Sequence, residues 1–226
     1  MSDWKDAMFI TATDTGMGKT AISTGLLSGL RARDVNVCGM KPIASGAMKT
    51  SRGMVSEDAV KLQKLSGVEL SYELVNPVLL ENPCSPDIAA RLEQREINLD
   101  LIMECFDEIS SQCEVLVVEG VGGWRTPCVG GKGMADMVSR MKCPVILVVG
   151  MKLGCINHAL LTAEAVRSDG FELAGWIANQ IDPDYGYQDQ TLDTLAPALA
   201  CPLLGVVPYI EGADPERISA YLQLES

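Results

Sequence analysis

Hydrophobic positions follow two patterns along the chain. Short apolar runs bounded by turn residues are typical of strands buried on both faces of a parallel sheet. The clearest lie at 115–118 and 144–149, and β-rich segments follow the same reasoning at 35–40, 173–179 and 203–207.

Between these runs the spacing changes to three and four residues, which predicts helices. They are expected at 21–33, at 57–66 after a Ser56 cap, from the Asn98 cap to about 111, at 157–167 and at 189–199. The segment 75–86 holds three prolines and is interpreted as loop with some extended backbone. The alternation predicts one doubly wound α/β domain over residues 1–226, with a mostly parallel sheet and helices on both faces.

Polar clusters follow the ends of the predicted strands at 13–20, 41–45, 119–123 and 150–157, and at Asn179. Ligands of such sheets bind beyond the carboxyl ends of the strands. A long glycine-rich loop, 119–127 with Gly130 and Gly131, lies among them. The sequence therefore predicts a single site at this edge.

The stretch 9–20 has the layout of a phosphate-binding loop. An apolar run enters a tight turn, and Gly18-Lys19-Thr20 opens a helical pattern. Backbone N–H groups and the lysine would bind phosphates, and the threonine hydroxyl would bind Mg²⁺. Thr13 stands where the usual spacing requires glycine, so Thr15 and Gly16 must shape the loop differently. An ordinary strand–turn–helix corner is the alternative, and nucleotide binding is favoured.

Composition narrows the possible partners and the compartment. The chain of 226 residues has 30 acidic and 18 basic residues and a net charge of −12, which argues against a nucleic-acid partner. No segment indicates a secretion signal or a membrane span. The eight cysteines form no C-x-x-C pair and there is one histidine, so common zinc spacings are missing. We expect reduced, buried cysteines in a cytoplasmic protein.

Five residues are candidates for phosphoryl chemistry, which requires neutralised charge and a positioned nucleophile. Lys19 is the loop lysine and Thr20 the metal-binding hydroxyl. Glu119 ends a buried strand and is either a Mg²⁺ ligand or part of a polar network, the first being favoured. Asp58 suits a metal site or a helix dipole, and Lys41 is either catalytic or a surface lysine.

Three further features have two interpretations each. His158 is more consistent with a structural role because no nucleophile partner is evident. The turn 154–157 could present backbone N–H groups to a carboxylate. Trp124 is either part of a lid or an anchor in the core.

The chain resembles the dethiobiotin synthetases, the ATP-dependent ligases of biotin biosynthesis, over nearly its whole length, because several of their motifs occur here in the same order. They are Thr13-Asp14-Thr15, Gly18-Lys19-Thr20, Lys41-Pro42-Ile43-Ala44-Ser45-Gly46, Ser56-Glu57-Asp58-Ala59, Val75-Asn76-Pro77, the segments 118–124, 152–159 and 174–179, and Leu203-Leu204-Gly205. The resemblance implies a homodimer that carboxylates 7,8-diaminononanoate with CO₂, activates the carbamate with ATP and closes a cyclic urea.

The resemblance also implies roles for individual residues. Lys41, Lys19 and Thr15 would be catalytic, and Thr20, Asp58 and Glu119 would hold Mg²⁺. Nucleotide binding falls to Gly16, Met17, Gly18, Lys19, Thr20, Ala21, Asp58, Glu119, Gly120, Val121, Gly122, Asn179, Pro208, Tyr209 and Ile210. Ser45 and Thr15 would contact the diamine or the carbamate, and the distal carboxylate of the diamine would be bound from the partner subunit by Leu153, Gly154, Cys155 and Asn157.

The chain departs from the family pattern at three places. Ala12 replaces a usual glycine, Gly16 stands where some members have glutamate, and the tyrosine expected after Asn179 falls on Thr191, with Tyr185 and Tyr187 nearby. These differences concern the loop geometry and one substrate contact.

Rival interpretations remain open. A switch ATPase of the partitioning type shares the sheet and loop, but it would have an early second lysine where this chain has Asp14. A cobalamin-type amidotransferase would need a Cys–His glutaminase pair. A binding module would leave Lys41 and Glu119 without a role.

Overall fold

The chain alternates strands with helices from end to end. The structure is a computed structural model that describes residues 6–51, 53–129 and 132–224. The strands are β1 (Asp6–Ala12), β2 (Val37–Met40), β3 (Ile43–Ser45), β4 (Met48–Thr50), β5 (Gly53–Val55), β6 (Val78–Leu80), β7 (Val115–Glu119), β8 (Pro127–Val129), β9 (Lys132–Gly133), β10 (Val145–Met151), β11 (Leu173–Gln180) and β12 (Leu203–Val207). The helices are α1 (Lys19–Arg31), α2 (Glu57–Leu65), α3 (Tyr72–Val75), α4 (Pro86–Leu92), α5 (Leu99–Ser110), α6 (Met134–Met141), α7 (Cys155–Ser168), α8 (Gln188–Leu199) and α9 (Pro215–Ser219).

Six strands form the central sheet in the order β12-β11-β10-β1-β7-β2. Every pairing in this sheet is parallel. All residues of β7 and β10 are buried, as expected when helices cover both faces of a sheet. The predicted doubly wound α/β fold is confirmed, and its main sheet is wholly rather than mostly parallel.

The strand order places a switch point beyond β1. The chain leaves β1 for β2 on one side of the sheet and later continues through β10 on the other side. Ligands of open α/β sheets bind at such a point, outside the carboxyl ends of the strands. The loop that follows Ala12 therefore begins at the position expected of a site.

Local sequence accounts for the helix beginnings nearest this edge. Gly18, in the left-handed region at φ 87°, precedes α1, and Gly154, at φ 92°, precedes α7. Ser56 caps α2, its hydroxyl accepting a hydrogen bond from the Ala59 backbone. Because α1 starts at Lys19 and α7 at Cys155, both begin two residues earlier than the apolar spacing predicts.

Several short elements were not predicted. The segment 75–86 contains the short strand β6 at 78–80, in agreement with the expected extended backbone, but the helices α3 and α4 that border it were not expected. The helices α6 and α9, the β4–β5 hairpin and the β8–β9 hairpin were also missed, while Gly130 and Gly131 lie outside the described residues. These elements are too short for hydrophobic periodicity to distinguish them from loops.

The core is one hydrophobic cluster with members from Ala7 to Leu224. All eight cysteines are free thiols, as predicted, but Cys84, Cys113 and Cys201 are only half-buried, so the expectation of burial was wrong for these three. Trp124 is buried, so the anchor interpretation is correct for this side chain.

No helix in the described part of the chain combines the length and the apolar character needed to cross a bilayer.

Candidate active site

A cavity of about 1100 Å³ lies at the carboxyl edge of the sheet, beyond β1 and β7. Many predicted residues line it together: Thr15, Gly16, Gly18, Lys19, Thr20, Lys41, Ser45, Asp58, Glu119, Val121 and Gly122. The structure therefore brings the phosphate loop, the end of β2, the start of α2 and the glycine-rich loop into one site.

Lys41 occupies the centre of this polar cluster. Its Nζ lies 2.6 Å from Glu119 Oε1 and 3.1 Å from Asp58 Oδ2, and it also donates to the Gly120 carbonyl at 3.1 Å. The side chain is 4% exposed, so the surface-lysine interpretation is wrong. Burial alone would lower the pKa of Lys41, but the carboxylates of Glu119 and Asp58 outweigh that effect and raise it. Lys41 is consequently a fixed positive charge.

Lys19 contacts carbonyl oxygens instead of carboxylates. Its Nζ donates to the Gly122 carbonyl at 2.6 Å and to the Asp14 carbonyl at 3.3 Å. Burial, followed by repulsion from Lys41, lowers the pKa of Lys19 to about 8. The lowered pKa shows that the unliganded site disfavours the positive charge of Lys19. An anionic ligand beside Lys19 would stabilise that charge.

Glu119 ends β7 and is 0% exposed. Its Oε1 atom accepts from Lys41 and, at 2.8 Å, from the Thr20 hydroxyl. Its Oε2 atom is buried and has no hydrogen-bond partner within the described chain. A buried carboxylate oxygen without a partner is unfavourable, so this atom is suited to a ligand that the protein binds.

Asp58 lies in the first turn of α2 and is partly exposed. Burial tends to raise its pKa, but the Lys41 ammonium holds the pKa of this carboxyl below its usual value. Asp58, Glu119 and Thr20 thus place side-chain oxygen atoms from three residues close together in the cavity, where they could bind a metal ion.

The phosphate loop owes its shape to two glycines. Gly16 and Gly18 have φ values of 77° and 87°, in the left-handed region that favours glycine. A Cβ atom on Gly18 would also lie 2.1 Å from Asn179 Nδ2, an atom that donates to the Met17 carbonyl at 3.0 Å. Asn179 therefore packs directly on the loop.

The remaining predicted residues lie outside the cavity lining. Met17 is buried beneath the loop, Ala21 is in α1, and Pro208, Tyr209 and Ile210 follow β12. Leu153 is 90% exposed before α7, whereas Cys155 is buried. Within a single chain the cavity reaches α7 at Leu161, Thr162 and Ala165 instead of at 153–157.

Sequence reasoning missed part of the lining. Pro83, Cys84, Ser85 and Pro86 bound the cavity from the segment interpreted as a loop, and Arg125 stands at its rim. Only the three prolines of 75–86 marked that segment, and they gave no indication of its position. At the predicted tyrosine position, Thr191 Oγ1 lies 2.7 Å from the Tyr185 hydroxyl, and Tyr185, Tyr187 and Thr191 all lie outside the cavity lining.

A family model described as an AAA domain matches residues 6–217. Among curated proteins, the chain is 44% identical to the ATP-dependent dethiobiotin synthetase BioD of Vibrio parahaemolyticus over 97% of this chain and 96% of that protein. The protein of the same name from Cellvibrio japonicus is also 44% identical, with the same coverage. That from Xanthomonas axonopodis pv. citri is 44% identical over 96% of this chain and 97% of its own length.

Solved structures at lower identity share the fold. The MinD cell division protein of Aquifex aeolicus matches with a TM-score of 0.55 at 15% identity, over 94% of this chain and 86% of that one. The signal recognition particle 54 kDa protein of Aeropyrum pernix, in complex with GDP, has a TM-score of 0.55 at 14% identity, over 93% of this chain and 42% of that one. These similarities support the fold and carry no information on the reaction.

Proposed function

Because this chain belongs to the dethiobiotin synthetase family of ATP-dependent ligases, we propose that its site joins CO₂ to 7,8-diaminononanoate and closes the cyclic urea. One amine takes up CO₂ as a carbamate, a carbamate oxygen takes the γ-phosphoryl group of ATP, and the second amine displaces phosphate. ADP, phosphate and the urea are the products. The observation that carries this proposal is the buried Lys41 ammonium between Asp58 and Glu119, beside Lys19.

The two lysines would stabilise the negative charge that develops during transfer. A carbamate and a γ-phosphoryl group are both anionic, and fixed cations in a partly buried cavity act on them more strongly than in water. Lys41 is held by the end of β2 and Lys19 by the start of α1, so both charges are in place before the substrates bind. Thr15 and Ser45 line the same cavity and would orient the carbamate and the diamine.

Three residues fit a magnesium ion that accompanies the nucleotide. Thr20, Asp58 and Glu119 offer oxygen donors, and Glu119 Oε2 is buried and unbonded in the described chain. This donor set agrees with Mg²⁺, which proteins hold through one or two carboxylates with phosphates and water. The ion would neutralise phosphate charge.

We propose that the nucleotide lies along the edge from α1 to β12. The phosphates would meet residues 16–21 and 120–122, near the start of α1. The members of these two segments that line the cavity are Gly16, Gly18, Lys19, Thr20, Val121 and Gly122. In the register of β11 and β12, Asn179 lies opposite Val207. Pro208, Tyr209 and Ile210 therefore emerge beside Asn179, and these four residues would contact the adenine.

We also propose that the protein is a homodimer. Leu153 is 90% exposed, and Leu160 and Leu161 on the following helix are exposed as well. Among the described residues no side chain caps the first turn of α7, and free N–H groups at a helix start attract an anion. Residues Leu153, Gly154, Cys155 and Asn157 would then bind the distal carboxylate of a diamine held in the partner's cavity. We place the reaction in the cytoplasm, where free thiols remain reduced.

The decisive experiment measures ADP release with each substrate omitted in turn. We expect turnover to require both the diamine and bicarbonate, and the product to have the mass of the cyclic urea. ATP hydrolysis that is indifferent to the diamine would contradict the ligase assignment and favour a switch ATPase. Replacing Lys41 by alanine should abolish ring closure while much of the nucleotide binding remains. Loss of nucleotide binding alone would show that the role of Lys41 is wrong.

A further inference from the structure

A continuous hydrogen-bond chain connects the backbone of Lys41 with the start of the helix that carries Asp58. The Ser56 backbone N–H donates to the Tyr72 hydroxyl at 2.7 Å, and that hydroxyl donates to Asn76 Oδ1 at 2.9 Å. Asn76 Nδ2 then donates to the Lys41 carbonyl at 2.7 Å. The bonds run in one direction, an arrangement in which each bond strengthens the next.

Together with the Lys41–Asp58 ion pair, this hydrogen-bond chain forms a closed ring of contacts beside the site. Ser56 is the N-cap of α2, and Asp58 lies two residues further along. Asp58 Oδ2 returns to the Lys41 ammonium at 3.1 Å. The backbone of Lys41 and its side chain are thereby tied to the same helix start by separate routes, one of them through Tyr72 and Asn76.

The bridge is buried and its amide is fully used. Asn76 is 3% exposed, and its Nδ2 also donates to the Val78 carbonyl at 3.2 Å. The Lys41 backbone N–H donates to the Val75 carbonyl at 2.8 Å, so segment 75–76 holds both backbone polar groups of Lys41. Desolvation raises the pKa of the Tyr72 phenol, which keeps the hydroxyl protonated and able to donate at neutral pH.

We propose that Tyr72 and Asn76 are positioning residues of the ligase that set the place of Lys41 relative to Asp58 and Glu119. Neither residue lines the cavity, so their effect on the reaction passes through Lys41. The inference rests on the catalytic role proposed for Lys41. In reactions that depend on orientation, a displacement of about 1 Å can reduce the rate by up to about a hundredfold.

The test compares two variants that break the chain at different atoms. Tyr72→Phe removes only the hydroxyl, and Asn76→Asp keeps Oδ1 but replaces the donor that faces the Lys41 carbonyl. We expect kcat for diamine-dependent ADP release to fall about tenfold in each. The Kd for ATP, measured by calorimetry, should stay within about twofold of the wild-type value, because the phosphate loop and Lys19 take no part in the hydrogen-bond chain.

Two controls distinguish positioning from general destabilisation. Tyr221→Phe makes the same chemical change on an exposed tyrosine that does not line the cavity and should leave kcat unchanged. Ile109→Val trims a fully buried residue of α5 and should lower the melting temperature without lowering kcat at 25 °C. If Tyr72→Phe affected only the melting temperature, as Ile109→Val does, the positioning role would be refuted.

Lys41→Ala, assayed in parallel, separates this inference from the proposed function. If Lys41→Ala abolishes ring closure but Tyr72→Phe and Asn76→Asp retain wild-type kcat, only the positioning inference fails. If Lys41→Ala itself retains ring closure, the catalytic role of Lys41 fails, and the positioning inference fails with it. Should Tyr72→Phe not fold, Asn76→Asp decides the question by the same measurements.

Discussion

Lys19 and Lys41 bind carbonyl oxygens two positions apart on one glycine-rich loop, Lys19 at Gly122 and Lys41 at Gly120. The loop therefore holds two ammonium groups at one edge of the sheet. Their pKa values nevertheless move in opposite directions, because only Lys41 contacts carboxylates. The protein itself thus stabilises the charged form of Lys41, whereas an anionic ligand would stabilise the charged form of Lys19.

Lys19 should make the stability of the free protein depend on alkaline pH. Because the pKa of Lys19 is lowered to about 8 in the folded chain, the unfolded state binds more protons between about pH 8 and 10.5, and stability from this group rises across that window. Lys19→Met removes an unfavourable contribution of up to roughly 3 kcal/mol that is fully present below pH 8. The variant's advantage over wild type should shrink between pH 7 and pH 10 in urea unfolding. An equal difference at both pH values would contradict the lowered pKa.

Removing the Lys41 ammonium should destabilise the protein through Glu119. Glu119 is 0% exposed, and breaking a buried ion pair on one side costs about 3–5 kcal/mol. Lys41→Ala should therefore lower the free energy of unfolding by about that amount in the absence of ligands. Lys41→Ala combined with Glu119→Gln should recover more than half of the loss, because Glu119 is then no longer a buried carboxylate without its cation. A double variant less stable than Lys41→Ala would show that the two residues act independently.

The sequence allowed the scaffold and most of the cavity lining to be predicted, because both follow from local signals. Buried parallel strands appear as apolar runs, and polar residues after such strands meet at one edge. The family resemblance added the roles of Lys41 and Asp58, which spacing alone left open. That the chain is one domain, and that each site residue has its assigned role, remain predictions.

What could not be predicted depends on long-range contacts. The Tyr72–Asn76 bridge joins Lys41, which follows β2, to Ser56, which precedes α2, and nothing in the spacing of Tyr72 indicates a bond to the Ser56 backbone. Similarly, the need for glycine at position 18 comes partly from Asn179, 161 residues later. Short elements such as α3 and β6 carry too few residues for periodicity to appear.

Alanine at Gly18 should disrupt the phosphate loop more than alanine at Gly16. Both positions have left-handed φ values, which cost an alanine roughly 1–2 kcal/mol. Only at Gly18 would the new Cβ also collide with Asn179, at 2.1 Å from Nδ2, since nothing lies within 4 Å at Gly16. Urea unfolding should therefore rank the variants wild type, Gly16→Ala, Gly18→Ala in falling stability. Adding Asn179→Ala to Gly18→Ala should recover stability, and a further loss instead would rule out the steric explanation.

Asp169 should anchor the glycine-rich loop to the C-terminal end of α7. Its carboxylate accepts from Trp124 Nε1 at 2.7 Å and from Arg125 Nη1 at 2.7 and 3.0 Å. The Trp124 ring packs edge-on against Phe171, with centroids 5.3 Å apart. Asp169 is the C-cap of α7, where a negative charge opposes the helix dipole. These contacts must therefore offset an unfavourable location.

The bonds to Trp124 and Arg125 differ in burial, so two variants can separate their contributions. The side chain of Arg125 is 62% exposed, and exposed ion pairs contribute about 0–1 kcal/mol. Arg125→Ala should therefore lower the free energy of unfolding by at most about 1 kcal/mol. Asp169→Ala also leaves the buried Trp124 N–H without its acceptor and should cost about 2 kcal/mol. Asp169→Asn retains an acceptor for Trp124 and should fall between the two. Urea unfolding followed by circular dichroism gives the order, and equal losses for Arg125→Ala and Asp169→Ala would assign the stabilisation to the surface ion pair instead of the buried tryptophan.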